Sequence, residues 1–90
     1  MGEADDDTAV FLPAEPVAAG DRQARLELRH TTGGQLALLV YTSLERLVKA
    51  CGDQQPWISV PVAELHSIAE QVEAEVVLED IALPDVERRD

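Results

Sequence analysis

The stretch "LLVYTSLERLVKACG", residues 38–52, decides the fold. An apolar run enters Thr42-Ser43, and a helical pattern begins at once. Leu44, Leu47, Val48 and Cys51 recur at i, i+3, i+4 and i+7, the spacing of one buried helix face. Thr42-Ser43-Leu44-Glu45 fits a capping box, with Thr42 as the cap and Glu45 three residues on. Gly52 stands where a left-handed C-terminal cap is wanted, and Lys49 lies near the negative end of the helix dipole. The pattern predicts a short helix over 43–51.

Toward the N-terminus, "QLALLVY" at 35–41 is apolar on both alternating faces. Leu36, Leu38 and Val40 form one face, and Ala37, Leu39 and Tyr41 the other. That is the mark of a central strand covered on both sides. Before it, "ARLELRH" at 24–30 alternates with period two, which predicts a half-exposed strand. Leu26, Leu28 and His30 should face inward and Arg25, Glu27 and Arg29 the solvent. "TTGG" at 31–34 is the turn that joins the two strands as an antiparallel hairpin. Further upstream, "AVFLPAEPV" at 9–17 suits a short strand, but Pro13 and Pro16 push it to a sheet edge or an extended arm.

Toward the C-terminus, "DQQP" is a loop and "WISV" at 57–60 a β-branched strand. Pro61 opens a second helix, with Leu65, Ile68, Ala69 and Val72 as its buried stripe. "EVVLEDIAL" at 75–83 is the last strand, with Val76 and Leu78 facing opposite to Glu75, Val77 and Glu79. The reading is therefore an α/β (α+β) fold: one small domain, a mixed β-sheet of four to five strands and two short helices. The order is β-β-β-α-β-α-β, with right-handed crossovers. The helices are expected to cover one sheet face. Residues 1–8 read as a disordered acidic tail, 9–83 as the domain and 84–90 as a C-terminal tail.

Ninety residues make one domain with a thin stability margin. Nearly half the residues are apolar, but the aromatics are few (Phe11, Tyr41 and Trp57), so the core must be aliphatic. The formal net charge is −11. That sign disfavours nucleic acid and anionic membrane surfaces and favours basic partners. The single cysteine, Cys51, forbids an internal disulfide, and no signal peptide is visible, so a cytoplasmic setting is expected. No apolar run reaches the 18 residues or so of a transmembrane helix. Asp6 stands where a myristoylation motif wants Ser or Thr.

Catalytic chemistry finds little support. Ser43 lacks a nucleophile elbow, and helix capping accounts for both Thr42 and Ser43. Cys51 falls on the apolar helix stripe, near the helix end that disfavours a thiolate. Cys51, His30 and His66 do not have metal-ligand spacing, and Gly33-Gly34 lies in a hairpin rather than a phosphate loop. No enzyme activity, cofactor or metal is expected.

Charge asymmetry is what remains. Five basic residues and two acids lie between Arg22 and Lys49, whereas nine acids and no Lys or Arg lie between Cys51 and Glu87. Glu64, Glu70 and Glu73 fall on the solvent side of the second helix, where they could simply be solvated or could dock a basic protein. The alternative is a small-molecule or peptide sensor that uses Tyr41, Thr42, Ser43 and Trp57 at the strand–helix junction. A sheet face left uncovered by the helices would need residues 9–17 or a second copy of the chain, as a homodimer.

"VFLPAEPV", "LALLVYTSLERL" and "WISVPVAEL" together resemble the SseB N-terminal-domain-like proteins, especially the small actinobacterial members. The resemblance covers residues 9–83, and the strand-to-helix step "YTSLE" is its most distinctive part. It implies a compact α/β fold and no recognised catalytic apparatus. Longer members carry an asparagine-proline-glycine turn near the final strand, where this chain reads "LEDIALPDV", and they add a second domain.

Overall fold

The computed structural model describes residues 8–16 and 25–90. Within them the chain is α+β, with five strands and two helices in the expected order. The strands are β1 (Ala9–Pro13), β2 (Leu28–His30), β3 (Leu36–Val40), β4 (Trp57–Pro61) and β5 (Val76–Glu79). The helices are α1 (Leu44–Cys51) and α2 (Leu65–Gln71), the latter preceded by a 3-10 turn at Val62–Glu64. The acidic segment expected as a tail over 1–8 lies, Thr8 aside, outside the described residues, as does the 17–24 connection.

The single mixed sheet expected from the sequence is divided in two. β2, β3 and β5 form one sheet with β3 at its centre, antiparallel to β2 and parallel to β5. β1 and β4 form a separate antiparallel pair. The joint is β1, where Phe11 and Tyr41 exchange two main-chain hydrogen bonds of 2.8 Å. Beyond it, Glu27 N–H donates to Pro13 O and Glu15 N–H to Arg25 O. Pro13 can sit inside this junction because its carbonyl accepts while its missing N–H is not needed.

β3 is covered on both faces, as its sequence requires. Leu39 and Tyr41 pack with Leu47, Ala50 and Cys51 of α1 and with Leu83. On the other side Val40 packs with Val10 and Leu12 of β1, and Ile58, Val60, Leu65 and Ile68 close over them. The helices therefore lie on opposite faces of β3, not on one. The proline-flanked arm supplies the missing cover, and both faces of β3 are filled by the chain itself. The second cover is thinner: no residue of α2 is fully buried.

The hairpin turn forms as its glycines allow. Gly34 adopts φ 87°, and the Thr31 hydroxyl accepts hydrogen bonds from the Gly33 and Gln35 amides. β2 departs from the simple alternation. His30 is exposed at the strand end, and Glu27 is buried at 7% exposure. The reason is residues 84–90, read from the sequence as a C-terminal tail, which fold back against this strand. Their Arg89 guanidinium pairs with Glu27, while Arg29 lies 3.6 Å from Glu27 and 3.3 Å from Glu87. A charge can be buried when partnered in this way.

The same segment closes the end of α1. Arg88 donates to Lys49 O at 2.6 Å, Arg89 N–H to Cys51 O at 2.7 Å, and Gln54 N–H to Arg89 O at 2.7 Å. These bonds satisfy carbonyls that a helix end otherwise leaves open. Gly52 makes the approach possible: at φ 102°, a Cβ there would lie 2.3 Å from Arg89 O. Gly52→Ala is expected to lower stability by about 2 kcal/mol, from the positive φ and the backbone clash together. Urea unfolding of the variant checks the loss, and faster proteolytic trimming after Leu83 would locate it.

Candidate functional site

The strand-to-helix junction is held from a distance. Ser43, not Thr42, is the cap of α1: it is extended (φ −149°, ψ 157°), and its Oγ accepts from Arg46 N–H at 3.1 Å. Glu45 is thus one position too early to complete a capping box. Thr42 is occupied elsewhere. Its N–H donates to Asp80 Oδ1 at 2.9 Å and its hydroxyl to Asp80 Oδ2 at 2.8 Å. Arg46 lies 3.4 Å from the same carboxylate.

Asp80 stops β5 and turns the chain. Its φ of 56° is left-handed, a conformation Asp tolerates better than most residues. Its N–H donates to Val40 O at 2.9 Å, so main chain and side chain both grip the end of β3. Burial alone would raise the carboxyl pKa, but the Thr42 bonds and Arg46 outweigh it and hold the pKa below the usual value. The arrangement is a structural clamp with every strong acceptor taken.

Tyr41 lies beneath this clamp with no solvent exposure. Its hydroxyl donates to Ile81 O at 2.6 Å and also contacts the buried Cys51 thiol. Burial pushes both the Tyr41 phenol and the Cys51 thiol upward. Both therefore stay neutral, and Cys51 is held as a thiol rather than a nucleophilic thiolate.

Trp57 is not part of this junction. It is 41% exposed on β4 and packs edge-on against Phe11, 5.6 Å between ring centroids. β1 lies between it and Tyr41. The cavities of about 570, 550 and 260 Å³ among the described residues are lined by residues other than Tyr41, Thr42, Ser43 and Trp57.

The acidic side is exposed. Glu64 closes the 3-10 turn, Glu70 is on α2, and Glu73 follows the helix. Glu73 has φ 61°, and the bonds Glu73 N–H to Glu70 O and Ala74 N–H to Ala69 O make a Schellman ending. Glu70 lies 3.2 Å from His66, whereas Glu64, Glu73 and Glu79 make no ion pair among the described residues. A groove of about 260 Å³ runs between α2 (His66, Ala69, Glu70) and the start of β5 (Glu75, Val76, Val77). Sequence reasoning missed Glu75 and Glu79 as members of this face, although their alternation with Val76 and Leu78 was the available signal.

Among the described residues no group of three or more His, Cys, Asp and Glu side chains is arranged to hold a metal. No described helix is long and apolar enough to cross a membrane.

Asp80→Ala is expected to cost about 2 kcal/mol, because it removes the Thr42 acceptors and leaves Ala in a left-handed conformation. Asp80→Asn should lose less. A lowered folded-state pKa means that the Asp80 contribution is full above the unfolded value of about 3.9 and is lost as pH falls through the folded value. The stability gap between wild type and Asp80→Ala should therefore narrow in acid to the part set by the left-handed backbone; a gap of the same size at every pH would show that the charge is not what matters.

No curated protein and no solved structure matches the chain. The family described as SseB protein N-terminal domain matches residues 4–84, nearly the whole sequence. The two-faced β3, its step through Tyr41-Thr42-Ser43 into α1, and the β4–α2 unit all lie inside that match, and the chain belongs to the SseB N-terminal domain family.

Proposed function

We propose that this domain is a non-enzymatic, cytoplasmic protein-interaction or accessory module that docks a basic partner on its acidic side. The observation that carries the reading is the unbalanced carboxylate surface of Glu64, Glu70 and Glu73, which Glu75 and Glu79 extend. These side chains are all exposed; the Glu75 carboxylate also accepts the Leu36 amide at 2.8 Å, at the surface. The groups with latent reactivity are committed to structure instead: Ser43 caps a helix, and Cys51 is a buried neutral thiol. Exposed carboxylates of one sign speed encounter with a cationic surface and give binding that weakens as salt screens it.

Tagged wild type and the triple variant Glu64→Lys, Glu70→Lys, Glu73→Lys, each checked for its native circular dichroism, would be compared for capture of host proteins at low and high salt. A basic protein retained by wild type alone, and released by salt, is the expected result. Equal capture of that protein by the triple variant would remove these residues from the interface.

A further inference from the structure

The open edge of β5 offers a more specific mode of docking, and this inference rests on the acidic-surface reading. β5 is an outer strand of its sheet and, among the described residues, pairs with β3 alone. An outer strand leaves alternate amides and carbonyls facing away from its neighbour, a template for one further strand. Val77 is 43% exposed, one of the few large apolar side chains on the surface. Beside it runs the groove between α2 and β5, with Ala69 and Ala74 as its small apolar residues and Glu70 and Glu75 as its charged ones. The geometry points to an extended, basic peptide segment that adds to β5 as a strand, with an aliphatic side chain near Val77 and Lys or Arg side chains near Glu70, Glu75 and Glu79.

Charge decides between this occupant and a second copy of the chain. Two β5 strands paired antiparallel about Val77 would put Glu75 of each opposite Glu79 of the other. Like charges in directly opposed positions destabilise a strand pair. A second β5 is therefore repelled at both ends of the contact, while a strand with Lys or Arg at those positions gains at both. Main-chain hydrogen bonds would supply binding that tolerates sequence variation, and the alternate side chains would supply selectivity.

The probe is a synthetic, labelled peptide of alternating Lys and Val, read by fluorescence anisotropy at low and high salt. Two further peptides carry N-methyl groups on alternate amides, one in each phase, which leaves the charge unchanged but removes one row of donors. The expected result is salt-sensitive binding that falls at least tenfold for one methylation phase and little for the other. In heteronuclear spectra, the outward amides of Val76–Glu79 should become protected from hydrogen exchange when the unmethylated peptide binds. Equal binding of all three peptides would overturn strand addition yet leave the acidic surface standing, provided the Glu64, Glu70, Glu73 variant binds none of them. Failure of the unmethylated peptide to bind wild type at low salt would overturn both.

Discussion

An apolar strand with two faces must be covered twice, and nearly everything in this domain follows from that requirement of β3. Leu39 and Tyr41 call for α1 and the segment around Leu83; Val40 calls for β1, β4 and α2. Burying an aliphatic side chain is worth about 1.5–3 kcal/mol, so neither face of β3 could stay open in a chain with so little else to bury. The proline-flanked arm is therefore no appendage. It crosses the end of β3, ties the two sheets through Phe11 and Tyr41, and is itself clamped by the buried Gln55 amide, which donates to Ala14 O at 2.9 Å.

What the sequence made legible was local. The hairpin around Gly34, the span of α1, the two faces of β3 and the opposed faces of β5 all follow from periodicities or turn residues within a few positions of one another. Three features were not legible, for one shared reason. Thr42 and Ser43 are equally good caps in isolation; Asp80, 38 positions away, takes Thr42 and leaves the role to Ser43. Glu27 looks like a solvent-facing strand residue until Arg89, 62 positions away, folds over it. The division into two sheets depends likewise on where β1 meets β3. Pattern reading assigns each residue a preference, and long-range partners then choose among residues with nearly equal preferences.

The acidic side was partly legible. Glu64, Glu70 and Glu73 were identifiable from charge alone, but the fold spreads them over a turn, a helix and a helix ending rather than along one helical stripe. Their proximity in sequence to Glu75 and Glu79 acquires meaning only once β5 is known to be an outer strand. The aromatic junction fared less well, because Trp57 falls on the far side of β1 from Tyr41. Two conspicuous residue types there belong to separate packing neighbourhoods.

The parallel pairing of β3 with β5 also sets the order in which the domain can assemble. The β2–β3 hairpin closes over residues 31–35, while β5 reaches β3 only after residues 41–75. Closing a loop seven times longer costs roughly 1.7 kcal/mol more in chain entropy. The hairpin and α1 can thus form as a nucleus before β5 arrives, and the Asp80 clamp engages after the strand that carries it has docked. β5 closes the longer loop onto one edge of the central strand, so any local opening that releases it uncovers that edge of β3.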